Sequence, residues 1–179
     1  LMAIGIQPGD RVLVPCRTFV ASAMSVMRIC ALPVFCDVDA VSGLVTVDML
    51  EAQWAPGTFA MFAVHLAGRP LDMEAICDWA AYRGVRVIED VAQAHGGQWG
   101  GRTLGTFGDA AAWSFCQDKI VSTGGEGGMV SANCMDAVHA MRDHGRGHVE
   151  RDSTTGFQYK RLSIGTNLRM TGMQAAIGS

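Results

Sequence analysis

Asp90, Ser114 and Lys119 stand close together near the middle of this chain and carry different chemistry. Asp90 ends the run Val85-Arg86-Val87-Ile88-Glu89-Asp90, in which an apolar stretch stops abruptly on two acids. A short apolar run bounded by turn residues predicts a buried strand. The C-terminal ends of such strands are where open α/β sheets hold their ligands. A second run, residues 110–115, follows a Gly108-Asp109 turn and delivers Ser114. Lys119 comes five residues later and is the only lysine before Lys160. A carboxylate, a hydroxyl and an isolated amine at neighbouring strand ends suit an aldehyde ligand that carries a phosphate and a basic ring nitrogen.

Each of these residues also has a plainer reading. Lysines are mostly solvated, and an acid after a strand can cap the next helix. The flanking residues carry the decision. Glu89-Asp90-Val91-Ala92-Gln93-Ala94-His95-Gly96, Gly105-Thr106-Phe107-Gly108-Asp109, Ser114-Phe115 with Lys119, and Gly125-Glu126-Gly127-Gly128 follow one another in order. This series resembles the signature of the DegT/DnrJ/StrS family, the pyridoxal-phosphate (PLP) sugar aminotransferases. The similarity runs from Pro8-Gly9-Asp10 to Gly165-Thr166-Asn167-Leu168-Arg169-Met170-Thr171, so it covers nearly the whole chain.

The resemblance implies an α/β fold, a mostly parallel sheet with flanking helices, as in the large PLP-binding domain of a fold type I aminotransferase. Residues 1–179 would form the central part of that domain, with an N-terminal segment and a C-terminal small domain outside them. It implies that Lys119 attaches the cofactor and moves protons, that Asp90 pairs with the ring nitrogen, and that Gln93 lies near the ring 3-hydroxyl. Ser114 would bind the phosphate, and Phe19, from the matching Thr18-Phe19 pair, would stack on the ring. Asn167, from the family's Asn-x-Arg, would reach the phosphate of the neighbouring subunit's cofactor, giving a homodimer with shared active sites. The implied reaction moves an amino group from an amino acid, glutamate by expectation, to a nucleotide-linked keto sugar. Family alternatives are a PLP sugar dehydratase, in which histidine replaces the lysine, and a non-catalytic regulator that keeps PLP or sugar binding. Lys119 argues against the dehydratase.

The chain also departs from the family pattern. Cys116 stands where many members have histidine, and one extra residue separates Lys119 from Glu126. The family's Gly-Thr phosphate loop would lie before residue 1. Both ends read as cut: Leu1-Met2-Ala3-Ile4-Gly5 looks like the last turn of a helix, and an apolar helical pattern runs up to Gly178-Ser179.

The elements that must position these residues alternate between strand and helix. Strands are expected over 11–15, 33–37, 59–65, 85–90, 110–115 and 129–132. A helix capped by Thr18 and running to Ile29 places Val20, Met24 and Met27 on one face. A second capped by Asp72 has Met73, Ile76, Cys77 and Ala80 spaced for burial and stops at Gly84. Further helices are expected over Val47–Gln53 and over 135–144. Residues 145–163 form a long polar loop, and Thr171 can cap a last helix. Asp37-Val38-Asp39 reads as a turn, His65 as a residue that hydrogen-bonds strand ends, and Glu89 must face away from Asp90 if the strand alternates.

Composition narrows the function class. The 179 residues are 49% hydrophobic and 17% charged, enough for a substantial core. A net charge of −3 offers no basic footprint for nucleic acid. No apolar run approaches the ~18 residues of a membrane span, and no signal-peptide pattern opens the chain. The six cysteines are scattered without a C-x-x-C pair, which suits buried free thiols in a reducing cytoplasm. No G-x-G-x-x-G follows the first strand, which argues against a nucleotide-binding oxidoreductase.

Overall fold

A computed structural model describes residues 1–147 and 161–179. Part of the expected polar loop, and Lys160 with it, lies outside the described residues. The strands are β1 (Arg11–Pro15), β2 (Leu32–Cys36), β3 (Thr58–Val64), β4 (Arg86–Asp90), β5 (Gln98–Trp99), β6 (Arg102–Thr103), β7 (Ala110–Ser114) and β8 (Gly128–Ala132). The helices are α1 (Val20–Arg28), α2 (Val47–Gln53), α3 (Met73–Arg83), α4 (Met135–Arg142) and α5 (Gly172–Ile177). Six strands form one sheet in the order β2-β1-β3-β4-β7-β8, and β5 and β6 form a separate hairpin. Every pair from β2 through β7 is parallel, and only β8 runs antiparallel at the edge.

Alternation along the strands divides the interior into two layers, one per sheet face. Val12, Val14, Ala60, Phe62, Val64 and Ile88 pack on one face with Ala23 and Val26 of α1. Leu13, Met61, Ala63 and Val87 pack on the other with Leu50 of α2 and Met73, Ile76 and Trp79 of α3. Leu50, Met61 and Met73 are fully buried, each contributing about 1.5–3 kcal/mol.

The layering also decides which way α1 faces. Val20, Met24 and Met27 do share a face of α1, but it is the exposed one. The residues turned to the sheet are Ser22, Ala23 and Val26. Small side chains let the helix approach β1 closely, and they bring a hydroxyl to the strand ends.

The signals at α3 and at Asp39 are met. Asp72 accepts the Ala75 N–H at 3.1 Å, and Gly84 ends α3 in the left-handed region at φ 68°. Asp39 Oδ1 accepts from Val41 N, Ser42 N and Ser42 Oγ, the expected turn role. All six cysteines are unpaired. Only Cys36 is fully buried, its thiol pushed up to about 11 by burial, whereas Cys16 and Cys30 are exposed.

From β1 the chain crosses to β2 on one side and returns to β3 on the other. Connections leaving adjacent strands in opposite directions open a crevice at their C-terminal ends. The candidate site lies there.

Candidate active site

The crevice is a cavity of about 510 Å³, within the range of small-molecule sites. Each wall comes from a segment that leaves a strand end. Thr18, Phe19 and Ser22 follow β1, Val64 and His65 end β3, and Asp90 and Gln93 end β4. Ser114 ends β7, and Cys116, Asp118, Lys119 and Glu126 belong to the loop between β7 and β8. The fold thus brings Asp90, Gln93, Ser114, Lys119 and Phe19 into one cavity. It does not bring Asn167 there. Asn167 is exposed and faces its own segment, where Arg169 donates to its Oδ1 from Nε at 3.1 Å and Arg169 also pairs with Asp143 at 2.9 Å.

Asp90 is held from two sides. Ser22 Oγ donates to Oδ2 at 3.1 Å, and the Ala92 N–H donates to Oδ1 at 3.1 Å. Because the Ser22 proton goes to the carboxylate, Thr18 Oγ1, 2.8 Å away, donates to Ser22 Oγ. Thr18 therefore does not cap α1 as expected; Phe19 occupies the N-cap position with no side-chain cap bond. The Thr18 hydroxyl instead begins a relay of oriented dipoles that ends on the carboxylate. Ser22 was missed in the sequence because a serine inside a helical stretch carries no signal of its own. Its spacing of four from Thr18, one helical turn, was the only hint.

Ser114 Oγ accepts one hydrogen bond with one of its two lone pairs, and its own proton is free. The Cys116 N–H reaches Ser114 Oγ at 3.4 Å, so the hydroxyl hydrogen can point to a ligand oxygen. His95 Nε2 donates to the Ser114 carbonyl at 2.9 Å and fixes the strand end. Gln93 Oε1 accepts the Ala67 N–H at 2.7 Å, so its amide nitrogen remains the free end. Phe19 is two-thirds exposed, and among the described residues no aromatic ring packs on it.

Lys119 sits on an excursion pinned at its base. Thr123, itself buried, bonds the Phe115 carbonyl through both N (3.1 Å) and Oγ1 (3.2 Å), and the Phe115 N–H donates to the Gly127 carbonyl. The Gln174 amide of α5 donates to the Glu126 carbonyl at 2.7 Å. Near the lysine, Asp118 is held below the usual carboxylate range by the Cys116 thiol first and by the Lys119 charge among the lesser causes. The same hydrogen bond pushes the Cys116 thiol up, so it stays protonated. Thr171 caps α5 in a reciprocal box with Gln174, which leaves Asn167 without a capping role.

Comparisons with known proteins bear on the family and the fold. The profile of the DegT/DnrJ/EryC1/StrS aminotransferase family matches residues 1–179. The chain belongs to that family. A GDP-perosamine synthase of Caulobacter vibrioides is 41% identical over 99% of this chain and 47% of its own. A UDP-N-acetyl-3-dehydro-alpha-D-glucosamine 3-aminotransferase of Acidithiobacillus ferrooxidans is 40% identical over 99% of this chain and 46% of its own. The aminotransferase structure from Psychrobacter cryohalolentis superposes with a TM-score of 0.95 at 46% identity, covering 99% of this chain and 47% of that one. Solved structures that match this fold include one with bound PMP and one in complex with a ketimine intermediate. The chain therefore spans about half the length of the relatives it matches. No helix among the described residues is long and apolar enough to cross a membrane.

Proposed function

We propose that the cavity binds PLP and that the whole protein is an aminotransferase moving an amino group from an amino acid, glutamate by preference, to a nucleotide-linked keto sugar. Residues 1–179 form the central part of its large domain. The observation that carries the reading is the convergence of a doubly held carboxylate, a lysine, a hydroxyl with a free proton and an open aromatic face on one cavity. That donor set fits PLP: an acid for the ring nitrogen, an amine for the aldehyde, a donor for the phosphate and a surface for the ring.

When bound, PLP supplies an electrophilic aldehyde carbon and a protonated ring that stores an electron pair. Asp90 accepts the ring N–H, and the Thr18–Ser22 relay keeps its Oδ2 oriented. Lys119 would supply the amine that holds the cofactor, and its free amine could hold and return the substrate proton. Phe19 covers one face of the ring and Gln93 donates near its 3-hydroxyl. Ser114 donates to the phosphate. Asn167, exposed and away from the cavity of its own subunit, reaches the cavity of a partner in a homodimer, where phosphate needs further donors.

The test is borohydride reduction of the intact protein loaded with PLP, followed by peptide mapping. The pyridoxyl label should lie on Lys119 and be absent in Lys119→Ala, which should also lose transamination. A label on Lys160 would sink the assignment. For the shared site, inactive Lys119→Ala and Asn167→Asp proteins should regain activity when their subunits exchange, because a mixed dimer then has one site with neither defect.

A further inference from the structure

The proposed reaction leaves one buried charge without a task. Glu89, beside Asp90, is fully buried on the opposite face of the sheet. Its Oε1 accepts the N–H groups of Phe107 (2.7 Å) and Gly108 (2.8 Å), and its Oε2 accepts the Gly105 N–H at 2.6 Å. His65 Nε2 lies 3.4 Å from the same Oε2. An ionised carboxylate survives in an apolar layer only when its lone pairs are met. Burial pushes Glu89 up, but the bonds from His65 and the three backbone N–H groups outweigh it and hold the acid below its ordinary range.

Three of these donors shape the loop before β7. A Cβ at Gly105 would collide with the Trp113 ring, and one at Gly108 would meet the Val87 carbonyl oxygen at 2.6 Å, so the loop lies against the strands it follows. The fourth donor leads to the cavity. His65 Nδ1 accepts the Leu71 N–H at 3.3 Å, which places the single ring proton on Nε2, facing Glu89. The His65 backbone N–H donates to the Asp90 carbonyl at 3.1 Å, so residue 65 is tied to both acids. Between His65 and Leu71 the chain makes a tight turn in which Ala67 adopts φ 55°, a conformation that a residue with a side chain holds only under constraint. The Ala67 N–H donates to Gln93 Oε1.

We propose that Glu89 is a positioning residue of the cavity: through His65 it locks the turn at residues 66–71, and that turn holds Gln93 by its oxygen so that the amide N–H groups serve the ligand. The inference rests on the reading that the cavity holds PLP. It makes Gln93 a donor, matched to an acceptor oxygen, and explains why an acid that faces away from the ligand sits next to the one that faces it.

The experiment uses the intact protein and two readouts. In Glu89→Gln without cofactor, amide hydrogen exchange at Ala67 and Leu71 should speed up relative to wild type. In the same variant the PLP dissociation constant should rise about tenfold, the worth of one neutral hydrogen bond. Because Glu89→Gln also disturbs the loop at residues 105–108, His65→Leu is the second variant. It should show the same faster exchange and the same loss of PLP affinity while amides 105, 107 and 108 stay protected. The double variant should bind PLP no more weakly than Glu89→Gln. Unchanged exchange at Ala67 and Leu71 in His65→Leu, or faster exchange with wild-type PLP affinity, would overturn the proposal. Failure of the wild-type protein to bind PLP would instead defeat the proposed function, and the exchange of the cofactor-free variants would still decide the role of the pair.

Discussion

The strand-end floor of the cavity and the loop that carries Lys119 are built in opposite ways. On the floor, Asp90 has two donors, Glu89 has four, and His65 uses both ring nitrogens and its backbone N–H. The loop is pinned at Phe115, Thr123 and Glu126, while Gln117, Asp118 and Ile120 between them are exposed. The difference matches two demands of one reaction. Groups that hold a ring in place gain from an environment that is fully satisfied before the ligand arrives, since no reorganisation is then required. On the proposed function, a lysine that attaches and releases the cofactor needs freedom, and the exposed residues on both sides of Lys119 leave it that freedom.

The sharpest way to break the contrast is Asp90→Asn in the intact protein. The amide oxygen still accepts from Ala92, its NH2 group donates to Ser22 Oγ where the carboxylate accepted, and the side chain no longer carries the charge that keeps the ring protonated. PLP should stay bound while kcat falls about 10³-fold, the upper range for loss of one preorganised electrostatic contact. Wild-type turnover by the purified variant would remove Asp90 from the site.

Acid stability tests the floor next. The folded-state pKa of Glu89 is lowered, so its contribution is present above the unfolded value of 4.5 and is lost as pH falls through the lower folded value. Glu89→Gln should cost about 2 kcal/mol at pH 7, because the amide NH2 replaces one acceptor oxygen and leaves buried N–H donors unmet. Its stability should also fall less steeply than that of wild type below pH 4.5. Chemical denaturation across that range measures both, and parallel curves would refute the assignment.

The smallest expected effect lies at the base of the loop. Thr123→Val keeps the shape and the backbone bond to Phe115 but deletes the hydroxyl bond, at a cost of about 1 kcal/mol. Thermal unfolding reads the cost. Limited proteolysis should cut the variant faster between residues 116 and 122, with cleavage elsewhere unchanged.

Much of this architecture was legible in residue order because its signals are local. An apolar run ending on two acids marked β4 and placed Asp90. Asp72 and Gly84 bounded α3, because a side-chain cap and a left-handed glycine act within one turn of backbone. The isolated Lys119 and its flanking residues marked the loop between β7 and β8. The hairpin β5–β6 escaped notice, since strands of two residues show no alternation to read.

What tertiary structure alone decided is which distant groups meet. Ser22 lies 68 residues from Asp90, and His65 lies 24 from Glu89. No periodicity links such pairs. They meet because β1, β3 and β4 are neighbours in the sheet and because α1 turns Ser22 inward and its methionines outward. An apolar stripe marks a helix face, but the sheet packs against whichever face fits it most closely. Here the sheet side of α1 is Ser22, Ala23 and Val26, and the stripe of Val20, Met24 and Met27 is exposed.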